Sequence, residues 1–144
     1  MVNQMPKKPK VLVLTGYGIN CDNETKLAFE MAGAEAEKVH VNDIERGTLG
    51  RYEIVALPGG FSFGDDIAAG RVLAVKLQTA GDQLREFLEG DRLLIGICNG
   101  AQAAVKMGLV PNLNGAGKQE ATLTYNDSGR FEDRWVYLAN RTEK

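Results

Sequence analysis

The chain has 144 residues, 44% of them apolar and 25% charged, with a formal net charge of −2. That composition belongs to a globular domain large enough to bury its own core, and it excludes a wholly disordered chain. Acidic and basic residues interleave without a basic stripe, so nothing favours nucleic-acid binding, and no apolar run is long enough to span a bilayer.

Residues 1–9 read as a solvated leader, with Lys7, Lys8 and Lys10 grouped near its end. The leader has no hydrophobic segment of the kind a signal peptide needs, so the cytoplasm is the expected compartment. Cys21 and Cys98 lie far apart in the sequence, and a reducing compartment argues against a disulfide between them. Neither belongs to a CxxC pair, and His40 is the only histidine, so no zinc set is supplied.

Lys10–Thr15 is a compact apolar run closed by Gly16 and reads as a buried strand. Gly16–Asn20 is a turn, and Asp22 or Asn23 can cap a following helix with a side-chain oxygen. Leu27, Ala28, Met31 and Ala32 recur at helical spacing, and Gly33 stops the helix. Glu37–Val41 is a second strand. Ile54–Leu57 is a third, ended by Pro58-Gly59-Gly60. The stretch 61–70 is glycine-rich and carries Asp65 and Asp66. Helices are expected over 72–78 and 82–88, and a further buried strand over Leu93–Ile97. Asn99–Met107 reads as a helix closed by Gly108. Beyond it Ala121–Tyr125 and Arg134–Leu138 look like strands divided by the polar turn Asn126–Arg130.

Strands alternating with helices predict one α/β domain with a mostly parallel sheet covered on both faces, a flavodoxin-like three-layer α/β/α arrangement. In such sheets the ligand crevice lies outside the carboxyl ends of the strands. Gly16–Asn20, Pro58–Gly64 and Cys98 would then share one rim.

The chemistry concentrates at Gly96-Ile-Cys98-Asn-Gly100. A cysteine flanked by small residues, between a buried strand and a helix, has the logic of a nucleophile elbow. The tight turn lifts the sulfur above the sheet. The helix N-terminus behind it suits a reactive thiolate, and the backbone N–H of Asn99 can face a developing oxyanion. The plainer alternative is a small buried hydrophobe, the commoner fate of a free cysteine.

Gly96-Ile-Cys-Asn-Gly-Ala-Gln102 resembles the nucleophile motif of the class I, triad-type glutamine amidotransferases. Leu57–Asp66, Gly16–Glu24 and Asn126–Glu132 resemble a purine-biosynthetic branch of that family, and the matches run from about Val11 to Leu138. The resemblance implies a glutaminase in which Cys98 attacks the glutamine amide and forms a glutamyl thioester. It implies an oxyanion hole from the backbone N–H groups of Gly60 and Asn99, and substrate contacts from Gln102, Gly59 and Gly100. It implies no cofactor or metal in this chain. Ammonia would pass to a synthetase subunit that uses ATP and magnesium, with a small third subunit as a further partner.

The family also needs a histidine base, oriented by a glutamate, after the nucleophile. No histidine follows Cys98 here, so the domain reads as C-terminally incomplete and inactive alone, with little or no turnover expected. His40, on the second strand, falls outside the family's position for the base. Two alternatives remain at this stage: another cysteine-elbow amidase, or a module that binds glutamine or a partner without turnover. Gly16-Tyr-Gly-Ile-Asn-Cys21 is a near miss to a dinucleotide fingerprint, with Cys21 in place of the third glycine. Gly115-Ala-Gly-Lys-Gln119 lacks the hydroxyl residue of a phosphate loop. Asp65 and Asp66 alone are too few for a metal site and read as loop residues.

Overall fold

The structure, a computed structural model, describes residues 7–115 and 118–139. Most of the leader, part of the 115–119 glycine stretch and the last five residues lie outside the described residues. Four strands form one sheet: β1 (Lys10–Thr15), β2 (Glu35–His40), β3 (Ile54–Leu57) and β4 (Leu93–Gly96). Their order is β2-β1-β3-β4, and every pairing is parallel. Helix α1 (Asp22–Met31) follows β1, helices α2 (Arg71–Gln78) and α3 (Gly81–Glu89) lie between β3 and β4, and α4 (Asn99–Lys106) follows β4.

Val-Leu-Val-Leu in β1 is fully buried because β1 is central and both faces are covered. Leu12 and Leu14 join Val55, Leu57 and the inner faces of α2, α3 and α4, with Phe87 and Leu73 at the centre. Val11, Val13 and Ala56 face the other way, toward Phe29 of α1 and Ala34 beyond it. Helices on both faces of a parallel sheet make the three-layer α/β/α arrangement. The order reverses between β1 and β3, and the crevice of such a sheet opens there.

The α1 face differs from the expected stripe. Leu27 and Met31 are 55% and 80% exposed, whereas Asp22 and Thr25 are buried. Polar bonding at the first turn decides this. Cys21 takes the N-cap position, and the Thr25 hydroxyl and N–H both donate to its carbonyl. Asp22 lies inside the helix rather than capping it with its own side chain. Its carboxylate accepts from the Thr15 hydroxyl and the Asn23 N–H and pairs with Lys38 at 3.3 Å.

Burial pushes the Asp22 carboxyl up, but the Thr15 hydroxyl, the Lys38 ammonium and the Asn23 N–H outweigh it and hold it below the usual carboxylate range. A carboxyl lowered in the folded state stabilises at pH values above its unfolded value, 3.8, and this contribution is lost as pH falls through the folded value. Asp22→Asn is therefore expected to cost on the order of 1–3 kcal/mol at neutral pH. Its urea midpoint should also fall less than that of the parent between neutral and acid pH. Equal acid sensitivity in the two proteins would count against the Asp22 assignment.

Two expectations about strands need correction. Leu93–Ile97 is not a buried strand. It is the sheet edge, with Leu93, Ile95 and Ile97 exposed at 65%, 43% and 43%. Register with Ile54 and Ala56 sets Leu93 and Ile95 on the α1 face, beyond the reach of α1. Ala121–Tyr125 and Arg134–Leu138 carry strand-like composition but form no strand among the described residues, and Tyr125, Trp135 and Tyr137 are exposed. Composition supplies a preference for extended chain, but a strand also needs a partner edge. The turn between them does form, with the Gly129 N–H donating to the Asn126 carbonyl at 2.8 Å.

An open apolar edge favours association. The chain is expected to show a weight-average mass that rises with concentration in light scattering, and Ile95→Lys should reduce the rise. A monomeric mass at high concentration would contradict this. Among the described residues no helix is long and apolar enough to cross a membrane.

Candidate active site

The site is built from three loops at the carboxyl ends of β1, β3 and β4. Past the end of β4, the Ile97 N–H still donates to the Leu57 carbonyl at 3.0 Å, so the chain stays beside β3 up to the turn. Cys98 then adopts φ 51° and ψ −112°, and α4 begins at the next residue. Positive φ is unfavourable for a residue with a side chain, and such strain concentrates at functional sites. The turn leaves Cys98 exposed.

Gly100, read from the resemblance as a substrate contact, is buried. A Cβ there would stand 2.0 Å from the Leu57 carbonyl oxygen. The structure gives Gly100 a packing role: it lets α4 start against the backbone of β3.

The Asn99 side chain joins the elbow to the glycine-rich loop. It is 2% exposed and uses both ends of its amide. Its Oδ1 accepts from the Ser62 N–H at 3.1 Å and from the Ser62 hydroxyl. Its Nδ2 donates to Asp65 at 2.8 Å and to Gln102 Oε1 at 3.2 Å. A buried amide satisfied in this way fixes its neighbours firmly, because any lost bond leaves a desolvated polar group. Ser62 and Asp65 were not legible as site residues. Ser62 meets Asn99 from 37 positions away, and no spacing rule spans that gap. Asp65, expected as a loop residue, is bonded into the elbow and holds φ 55°.

The β1 and β3 loops are zipped together. Phe61 N–H donates to the Gly18 carbonyl at 2.8 Å, Phe63 N–H to the Tyr17 carbonyl at 2.7 Å, and Cys21 N–H to the Gly59 carbonyl at 3.3 Å. Gly60 has φ +140°, and a Cβ on it would come within 2.4 Å of the Gly18 carbonyl oxygen. Only glycine allows the two loops this approach. The near-fingerprint Gly16–Cys21 thus has a structural purpose at the rim. A cavity of about 440 Å³ lies along α4, lined by Gln102, Val105, Ala68, Ala69 and Leu123–Tyr125, and Cys98 is not among its lining residues.

The structure brings Cys98, Asn99, Gly59, Gly60 and Gln102 to one rim. It does not bring His40 there. His40 ends β2, at the opposite edge of the sheet from β4, with β1 and β3 between them at about 4.8 Å per strand. Its ring meets Tyr17 edge-on at 5.3 Å, and its Nδ1 accepts from the Asn42 N–H at 3.2 Å. A larger cavity of about 960 Å³ lies beside α3 and holds Arg46, Arg85 and Arg92 together with Asp82 and Glu86. No cysteine or histidine lines it, and it mixes both charges. Among the described residues no three His, Cys, Asp or Glu side chains group as a metal set would require.

Comparison with known proteins bears on the family and the fold. The chain is 50% identical over 135 residues to phosphoribosylformylglycinamidine synthase subunit PurQ of Dehalococcoides mccartyi, an alignment covering 92% of this chain and 52% of the relative. It is 44% identical to the Methanococcus maripaludis subunit of the same name, over 90% of this chain and 50% of that one. The chain therefore spans about half the length of these curated relatives. A solved structure of PurLQS from Thermotoga maritima contains a chain that matches at TM-score 0.70 and 34% identity, covering 90% of this chain and 54% of that one. The family match runs over residues 8–144, and by it the chain belongs to the CobB/CobQ-like glutamine amidotransferase domain family.

Proposed function

We propose that this chain is the nucleophile-bearing part of the glutaminase component of phosphoribosylformylglycinamidine synthase, acting in the cytoplasm in purine biosynthesis. The observation that carries the reading is Cys98: exposed, at φ 51°, between a parallel strand and a helix N-terminus. The sulfur attacks the side-chain amide carbon of glutamine. The carbonyl oxygen becomes an oxyanion and is met by the backbone N–H groups of Asn99 and Gly60. Collapse of the tetrahedral species expels ammonia and leaves a glutamyl thioester, which water cleaves to glutamate. Gln102, one turn into α4 and anchored by Asn99, holds the substrate together with the backbone at Gly59. The anchoring of Ser62 by Asn99 sets the path of the loop that carries Gly60.

No cofactor or metal enters this half-reaction. ATP and magnesium belong to the synthetase partner that receives the ammonia, and a small third subunit completes the assembly. Support comes from the family membership and from the names of the relatives. A second reading, glutamine binding without turnover, is favoured for the 144-residue chain by the position of its single histidine at the far edge of the sheet.

The test is substrate protection. Glutamine should slow the alkylation of Cys98 by iodoacetamide, and asparagine should not. Equal protection by both, or by neither, would remove the claim that this rim recognises glutamine.

A further inference from the structure

The fold places Cys21 and Cys98 on one rim despite their separation in sequence. Cys21 ends the loop after β1 and Cys98 follows β4, so the two flank the loop that leaves β3. Gly59 lies between them. A Cβ placed on Gly59 would meet the Cys98 Cβ at 3.4 Å and the Cys21 sulfur at 3.6 Å. The Cys21 sulfur therefore lies within the sum of those two distances of the Cys98 Cβ. Both thiols are exposed and free. Glycine at position 59 leaves the space between them open. Among the described residues the Cys21 side chain makes one hydrogen bond, an exposed one from its sulfur to Asn20 Oδ1 at 3.3 Å.

We propose that Cys21 and Cys98 form a reversible disulfide across Gly59 when the protein meets a peroxide, taking the elbow sulfur out of use. A disulfide brings its two Cβ atoms to about 3.8 Å, so the bridge draws the Cys21 turn over Gly59. The chemistry balances in two steps. The Cys98 thiolate attacks one peroxide oxygen, the O–O bond breaks, and Cys98 becomes a sulfenic acid as water leaves. The Cys21 thiol then attacks the sulfenic sulfur, the S–S bond forms, and a second water departs. Two thiols lose two electrons and one peroxide gains them. A dithiol reductant reverses the bridge, as is usual for transient disulfides in reducing compartments. Cys21 thereby acts as a resolving cysteine and guards Cys98 against irreversible oxidation. The regulatory meaning rests on Cys98 being the glutaminase nucleophile; the bridge itself does not.

The test treats the chain with hydrogen peroxide and reads intact mass, free thiols and cross-linked peptides by mass spectrometry. The expected result is joint loss of both thiols, a mass lower by two hydrogens, a peptide linking Cys21 to Cys98, and full reversal by dithiothreitol. Cys21→Ser should abolish the bridge and let Cys98 proceed to sulfinic acid. Gly59→Ala, which places a methyl in the gap at ordinary contact distances, should slow bridging relative to the parent. The proposal is overturned if peroxide drives Cys98 to sulfinic acid while Cys21 stays titratable, or if disulfides form only between molecules. Glutamine protection, measured on the reduced protein, separates the two readings. Protection without a bridge removes only the switch, and a bridge without protection removes only the glutaminase assignment.

Discussion

Alanine at Gly100 is expected to unfold the domain or to leave it severely destabilised, with a loss above roughly 3 kcal/mol. The added methyl would lie 2.0 Å from the Leu57 carbonyl oxygen and 2.6 Å from the Leu57 carbonyl carbon. Both atoms are backbone in a central strand, so no side-chain rotation relieves the clash, and α4 would have to lift away from β3. That movement would uncover Ala103, Ala104 and Met107, all in the main core. Domains of this size are stable by only about 5–15 kcal/mol, so the loss is a large share of the total. Gly81→Ala is the control. A Cβ there meets nothing within 4 Å, and the substitution should be neutral or stabilising by up to about 1 kcal/mol. Urea unfolding of the two variants decides it. Similar midpoints would show that α4 does not depend on this close approach.

Glutamine turnover by the 144-residue chain is expected to run about 10²–10⁴-fold below that of a complete relative, the usual contribution of general acid–base catalysis. In the proposed reaction the elbow supplies the nucleophile and its oxyanion donors, but a leaving amide nitrogen needs a proton and the attacking water needs to lose one. The single imidazole is held at the end of β2 by Tyr17 and Asn42, across the sheet from Cys98. Glutamate formation at a rate comparable to a complete relative would show that another group supplies the base. His40→Ala is expected to leave the residual rate unchanged, because its ring lies on the wrong edge.

The four strands and four helices were legible because each rests on a local signal. Buried β-branched and leucine runs mark β1 and β3, and glycines mark the ends of α1 and α4. The elbow was legible for the same reason, as strand, small residue, cysteine, small residue and helix are contiguous. What escaped the sequence depends on contacts between distant positions. The outward Leu27 and Met31 follow from the polar cluster of Asp22, Thr15 and Lys38, which hydrophobic periodicity does not register. The exposure of Leu93 and Ile95 follows from the place of β4 at the sheet edge, which composition cannot state. The Asn99 network depends on the glycine loop folding back on the elbow. The nearness of Cys21 to Cys98 depends on the strand order, which sets the β1 and β4 loops on either side of Gly59.

The most direct test of the central claim is covalent capture by a glutamine-mimicking diazoketone, followed by peptide mapping. One adduct per chain is expected, on Cys98 and not on Cys21, formed more slowly when glutamine is present. No adduct is expected in Cys98→Ser, and slower labelling is expected in Gln102→Ala at unchanged iodoacetamide reactivity. An adduct shared between Cys21 and Cys98, or one indifferent to glutamine, would remove Cys98 as the glutamine-directed nucleophile.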